Sequence, residues 1–126
     1  MKKSLIKVGH YNFEIDFLDT HTAKVIYSKL PIIGKVNFWG NEVYFYTNLK
    51  IKIEKEARQI VEKGEIAYWP QGDAIAIGYG PTPISINKEI RLASNCNIWA
   101  TTDFDLEQLN SLKEQQEILI ANEKNL

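Results

Sequence analysis

The sequence predicts a mainly β domain folded as a closed or nearly closed antiparallel β-barrel, with one early helix and one helix near the C-terminus. Short apolar runs recur along the chain between clusters of turn residues, and only two stretches have helical spacing. Many short strands with few helices are typical of barrels and sandwiches. No repeat or linker divides the 126 residues, so we expect one domain spanning residues 1–126.

The first elements are a hairpin and a helix. Leu5–Val8 and Phe13–Phe17 are apolar runs separated by turn residues, which predicts two paired strands. Apolar residues then recur at helical spacing, at Ala23, Ile26, Tyr27 and Leu30. Asp19 or Thr20 can cap this helix, and Pro31 ends it.

Two further hairpins follow. Residues 32–47 predict two strands joined by a tight turn at Gly40-Asn41, and Glu42, Tyr44 and Tyr46 share one face of the second strand. After an irregular stretch, "GEIAYWPQGDAIAIGYG" predicts a hairpin that turns at "WPQG". Its second strand has small residues on one face, at Ala74, Ala76 and Gly78. A neighbouring layer or a ligand can approach such a face closely.

The C-terminal third predicts a loop, a strand and a helix. The prolines of "GPTP" force the chain out of the sheet, and a strand follows near Asn97–Ala100. A helix is expected from about Asp105, where Asp105 and Gln108 resemble a capping box. Its narrow apolar stripe consists of Leu106, Leu109 and Leu112. We expect the tail after Ile120 to fray.

Composition excludes several classes of protein. A net charge of -1 without a basic cluster argues against nucleic acid and anionic membranes as partners. No apolar run is long enough to span a bilayer, and Lys7 interrupts the only segment resembling a signal peptide. The single cysteine, Cys96, cannot form an internal disulfide. These features predict a cytoplasmic protein.

A resemblance to a known family rests on two hairpins, "VNFWGNEVYF" and "VEKGEIAYWPQGDAIAIGYGPTPIS", which follow a strand pair and a short helix. From roughly Leu5 to Ala100 the chain resembles a family of small archaeal and bacterial cyclophilin-like proteins of unknown function. The resemblance implies a cyclophilin-like barrel of about eight strands. Its better-known relatives are peptidyl-prolyl isomerases, which suggests that activity as one hypothesis.

The resemblance also implies where an isomerase would carry its catalytic arginine. In the isomerases this arginine lies just ahead of a strand bearing phenylalanine and glutamine, after the first helix. The matching segment here, "KVNFWGNEVYFYT", contains neither arginine nor glutamine. Lys35 lacks the planar guanidinium, and Arg58 and Arg91 lie elsewhere. Prolyl isomerase activity of the usual arginine-dependent kind is therefore not expected.

An aromatic groove remains as a candidate binding site. Flat apolar rings with polar tips are the usual material of sites for proline peptides and small ligands. The candidate groove residues are Trp39, Glu42, Tyr44, Tyr46, Tyr68, Trp69 and Tyr79. Each ring has the alternative role of filling the barrel. For Glu42 the sequence favours a solvated residue beside a turn over a carboxylate in a pocket.

Other chemistry has little support in the sequence. The two histidines, one cysteine and scattered carboxylates show no metal-binding spacing, and no cofactor is expected. Cys96 fits a small buried apolar residue better than a nucleophile. Asp103, Asp105 and Glu107 are accounted for by the start of the predicted helix, where negative charge is favourable.

Three functional hypotheses follow. The preferred one is a binding module that retains an aromatic groove for a peptide or small molecule. The second is an enzyme, either a divergent prolyl isomerase or a catalyst of another reaction in the same cleft. The third is a structural role in which exposed apolar surface forms a homodimer.

Overall fold

The computed structural model describes residues 2–125, apart from the side chain of Glu123. It contains ten β-strands, one α-helix and two short 3₁₀-helices. The first six elements are β1 (Lys3–Val8), β2 (Tyr11–Phe17), α1 (His21–Lys29), β3 (Ile32–Lys35), β4 (Asn37–Phe38) and β5 (Glu42–Tyr46). Those that follow are β6 (Arg58–Val61), β7 (Glu65–Trp69), β8 (Ala74–Gly78), β9 (Ile90–Thr101), a 3₁₀-helix (Leu106–Ser111), β10 (Glu117–Ala121) and a second 3₁₀-helix (Glu123–Asn125).

The strands form a nearly closed antiparallel barrel, as the sequence predicts. Nine of them lie side by side in the order β3-β10-β1-β2-β9-β7-β8-β5-β4, and β6 pairs with β9 outside this path. The edge strands β3 and β4 are separated in the chain only by the buried Val36. The chain therefore passes directly from one edge of the sheet to the other, which leaves little free edge.

The predicted early elements are confirmed with one difference: the first of the two strands predicted in residues 32–47 is divided at Val36 into β3, which pairs with β10, and β4, which pairs with β5. β1 and β2 form the first hairpin, and β4 and β5 are joined through a turn in which Gly40 has a φ of +60°. β7 and β8 form the hairpin around "WPQG". Helix α1 is capped by Thr20, whose hydroxyl accepts a hydrogen bond from the Ala23 amide.

The C-terminal region differs from the prediction. Residues Leu106–Ser111 form a 3₁₀-helix rather than an α-helix, and the Asp105 side chain makes no capping hydrogen bond. The leucine stripe of the predicted helix repeats every three residues, which is the period of a 3₁₀-helix. The segment after it, which includes Ile120, forms β10 between β1 and β3. The tail predicted to fray after Ile120 consists of the last residue of β10, Ala121, and the second 3₁₀-helix, Glu123–Asn125. Leu126 lies outside the described residues.

The buried side chains form two clusters on opposite faces of the sheet. The larger cluster fills the barrel, and α1 and the first 3₁₀-helix add apolar side chains to it. The smaller cluster lies on the outer face of β7 and β8, under β6 and the beginning of β9. Its members are Val61, Ala67, Ala76, Ile90, Leu92 and Cys96. Half-buried side chains of Tyr44, Trp69 and Ile98 pack against it.

Candidate functional site

A pocket opens on the outer face of the sheet, between β5 and the first half of β9. We call it the Glu42 pocket. Its volume is about 140 Å³. Four of its lining residues are aromatic: Trp39, Tyr44, Tyr46 and Trp69. The remaining lining residues are Glu42, Ala76, Leu92, Ala93 and Cys96.

The register of β5 on β8 creates the space for the pocket. Glu42 lies opposite Gly78, and Tyr44 lies opposite Ala76. A side chain on Gly78 would meet Ile90, at 2.6 Å from its Cγ2 atom. Small residues on β8 therefore let β9 cross closely above the sheet while leaving room for a cavity beside it.

Local contacts fix the positions of three of the four aromatic residues of the pocket, Tyr44, Tyr46 and Trp69. The rings of Tyr44 and Tyr46 lie edge to face, with their centroids 5.7 Å apart. The indole Nε1 of Trp69 donates a hydrogen bond to Ser94 Oγ over 2.7 Å. The Trp69 ring also packs on Gly72, where a Cβ would lie 2.1 Å from the ring. The glycine of "WPQG" thus accommodates the indole as well as the turn.

The "GPTP" loop supports the turn that carries Trp39. The backbone N–H of Asn41 donates to the carbonyl of Pro81, and the backbone N–H of Tyr79 donates to the backbone carbonyl of Asn41. Gly40 approaches the same loop so closely that a Cβ would lie 2.9 Å from the Pro83 Cδ atom. The loop therefore holds the β4–β5 turn in place, which gives its compact, proline-rich sequence a structural reason.

Glu42 is the most unusual residue of the pocket. Its side chain is only 6% exposed, and its Oε1 atom is buried without a hydrogen-bond partner within the described residues. Burial raises the pKa of Glu42 from 4.5 to about 7. The sequence favoured a solvated carboxylate here, and that interpretation is wrong because β5 pairs with β8 beneath the cover of β9.

The structure brings together five of the seven predicted site residues and separates the other two. Tyr68 and Tyr79 are buried in the barrel interior, on the opposite face of the sheet from Trp69 and Ala76. The Tyr68 hydroxyl donates to Asp73 Oδ1 over 2.6 Å. That of Tyr79 donates to Asn110 Oδ1 over 2.7 Å. Alternation along β7 separates Tyr68 from Trp69, so they do not belong to one groove.

Some lining residues did not emerge as site candidates from the sequence. Leu92 and Ala93 line the pocket because the first half of β9 crosses the outer face of the sheet. Cys96 also lines it and is fully buried, in agreement with the interpretation as a small apolar residue. Burial raises the pKa of the Cys96 thiol to about 12, and the negative charge of Glu42 adds to this effect. The thiol is therefore poorly suited to act as a nucleophile.

The side chains of both arginines are engaged in ion pairs. Arg58 forms an ion pair with Glu65, and Arg91 forms one with Glu89. Neither arginine lines the pocket. Among the described lining residues none is cationic, so the ionised form of Glu42 has no counter-charge there.

Other parts of the described chain offer less specific chemistry. A depression of about 610 Å³ lies beside α1, and a more open one of about 770 Å³ lies beside the loop at Lys50. No buried unpaired polar atom of residues 2–125 lines either of them. The same residues contain no cluster of metal-binding side chains. None of the helices described in the structure has the length and apolar character needed to cross a bilayer.

Comparison with known proteins identifies the class to which the barrel belongs. Residues 2–121 match the model of the family described as Cyclophilin-like, and the chain belongs to this family. The solution structure of the hypothetical protein AF2241 from Archaeoglobus fulgidus is similar, with a TM-score of 0.80 and 30% identity. The similarity covers 95% of this chain and 93% of that one. No match was found among curated proteins.

Proposed function

We propose that the protein is a binding module whose Glu42 pocket takes a small molecule or a single side chain of a peptide, without arginine-dependent prolyl isomerase activity. The observation that carries the proposal is that Glu42 Oε1, beside the pocket, is buried without a hydrogen-bond partner among residues 2–125. A buried carboxylate without partners is strongly unfavourable in an apoprotein. Such groups are rare in folded proteins, and a ligand that supplies the missing partner accounts for this one.

The composition of the pocket supports binding. Aromatic walls with one polar group are typical of small-ligand sites, in which apolar contact supplies affinity and the polar group supplies orientation. An apolar cavity of about 150 Å³ holds a benzene molecule, and the volume of the Glu42 pocket is similar, about 140 Å³. The pocket therefore fits a compact group such as a pyrrolidine ring or a branched alkyl head.

The positions of the arginines argue against catalysis of prolyl isomerisation. Rotation about the X-Pro bond is slow because the amide has partial double-bond character. A donor that approaches the prolyl nitrogen weakens this character, and an arginine supplies that donor in the isomerases. Here the guanidinium groups of Arg58 and Arg91 are occupied by carboxylates outside the pocket.

Two parallel measurements test the proposed function. Amide chemical shifts are followed while an X-Pro dipeptide, an alkyl alcohol and an alkyl ammonium salt are titrated separately. We expect at least one probe to shift residues around Ala76, Leu92 and Ala93. If no probe moves these signals, or if the shifts cluster beside α1 instead, the Glu42 pocket is not the binding site.

The second measurement is a prolyl isomerase assay on the same X-Pro sequence within a short peptide. We expect no acceleration, and no difference among the wild type, Arg58→Ala and Arg91→Ala. By contrast, Trp39→Ala and Tyr44→Ala should weaken probe binding several-fold, because each removes a wall of the pocket. A rate increase that disappears with one arginine variant would identify the protein as an isomerase.

A further inference from the structure

We infer that the ligand of the Glu42 pocket carries an alkylated ammonium group, held between the aromatic faces with its positive charge next to the Glu42 carboxylate. This inference rests on the proposed function and names the chemical class of the ligand. Two independent features of the pocket lead to it. One is the set of four aromatic residues that line it, and the other is the carboxylate oxygen that is buried without a partner among the described residues.

The aromatic walls favour a cation. The faces of Trp and Tyr rings carry negative electrostatic potential, and an organic cation over them is stabilised by up to about 2 kcal/mol when water is excluded. Two indoles and two phenols line this single small cavity. Ordinary apolar ligands would be accommodated equally well by aliphatic walls, so the aromatic composition is more specific than apolarity alone.

The carboxylate adds the matching charge. Glu42 lies beside Tyr44, and its buried position excludes the water that would otherwise screen an ion pair. An anionic ligand would be repelled, and a neutral one would leave the ionised carboxylate without a counter-charge. A cationic ligand removes the unfavourable isolated charge when it binds.

Alkylation of the nitrogen follows from the scarcity of acceptors. A primary ammonium has three N–H donors, each of which needs an acceptor when it is buried. The aliphatic and aromatic lining offers mainly carbon surface, together with the unpartnered Oε1. Methyl groups in place of N–H groups pack on the rings and need no acceptor.

A matched pair of probes tests this class. Choline and 3,3-dimethylbutan-1-ol have the same shape, but a carbon replaces the charged nitrogen in the alcohol. Each is titrated against the full chain at about pH 8, where the carboxyl is mainly ionised. Binding is followed by fluorescence, since Trp39 and Trp69 line the pocket while Trp99 is buried in the barrel. We expect choline to bind at least about tenfold more tightly than the alcohol.

Variants separate charge recognition from general packing. Glu42→Gln should reduce the preference for choline, because only the aromatic rings then favour the cation. Glu117→Gln removes one negative charge on β10, outside the pocket lining, and should leave the preference unchanged. Should Glu42→Gln fail to fold, Tyr46→Ala serves instead, because Tyr46 is 58% exposed and its removal leaves the core intact. It should weaken the binding of choline more than that of the alcohol, because it removes one of the rings that favour a cation.

These measurements distinguish failure of the ammonium inference from failure of the proposed binding function. Equal binding of choline and the alcohol, or a preference that is undiminished in Glu42→Gln, would overturn the ammonium inference but leave a binding pocket. If neither probe binds, and the shift titrations with the other probes are also silent around Ala76, the proposed function fails together with the inference.

Discussion

The two faces of the sheet formed by β5, β8 and β7 follow opposite packing rules. On the inner face Phe45, Ile75 and Tyr68 are fully buried, and the Tyr68 hydroxyl donates a hydrogen bond to Asp73. On the outer face small residues leave a cavity, and a carboxylate is buried without a partner. The inner face is built for stability. The outer face retains a buried carboxyl beside an unfilled cavity, a combination that is typical of functional sites.

The largest contrast between the faces should appear in stability. Phe45→Ala removes a fully buried ring from the barrel and should lower the free energy of unfolding by about 3–5 kcal/mol. Tyr46→Ala on the same strand removes a ring that is 58% exposed and should change it by less than about 0.5 kcal/mol. Urea unfolding of both variants measures the difference. Equal losses would mean that the two faces of β5 are packed alike.

Glu42 should make stability depend on pH. The folded carboxyl keeps its proton up to about pH 7, whereas the unfolded one releases it near 4.5. Between these values the folded state binds more protons, so stability falls as the pH rises. At about 1.4 kcal/mol per pH unit, the loss is about 3 kcal/mol and is complete above about pH 7. Cys96, with a pKa of about 12, does not titrate in this range.

The variant Glu42→Gln isolates this effect. Its side chain cannot ionise, so its free energy of unfolding should not fall between about pH 4.5 and 7. The two proteins are compared by the slope of the unfolding free energy against pH rather than by its absolute value. Glu117→Gln, which changes an exposed carboxylate, should keep the wild-type slope. A wild type and a Glu42→Gln variant with parallel profiles would show that Glu42 is solvated in the folded protein.

A smaller effect should come from the outer wall at Trp69. Gly72→Ala places a methyl group 2.1 Å from the Trp69 ring, which must then move away. We expect a loss of about 1–3 kcal/mol in stability and weaker probe binding, because the hydrogen bond from Trp69 to Ser94 is disturbed. Urea unfolding measures the loss of stability, and Trp69 emission during a probe titration measures the change in binding. If the Trp69 ring is displaced and probe binding is unchanged, Trp69 does not contribute to binding.

Local patterns in the sequence predicted much of the barrel. The first hairpin, helix α1, the turn at Gly40 and the "WPQG" hairpin each depend on neighbouring residues, and all of them are present. The C-terminal strand β10 was missed because a leucine stripe favoured a helix. Its position between β1 and β3 depends on partners more than 80 residues away in the chain.

The site was predictable only in part for the same reason. Alternation along β5 grouped Glu42, Tyr44 and Tyr46 correctly, and these residues line one pocket. The burial of Glu42 depends on Gly78 below it and on β9 crossing above, and neither contact can be read from the segment around Glu42. Alternation also placed Tyr79 opposite the small residues of β8, which in the structure is the barrel interior.

Ligand binding at the pocket depends on a Glu42 carboxyl that is buried without a hydrogen-bond partner among the described residues. The most direct test is a pH titration of the glutamate side-chain carbons by NMR, with Glu42→Gln used to assign the signal. We expect a pKa of about 7 for Glu42 in the free protein, and a lower value when choline is present, because a neighbouring cation favours the ionised form. A pKa near the ordinary 4.5, unaffected by choline, would contradict the account.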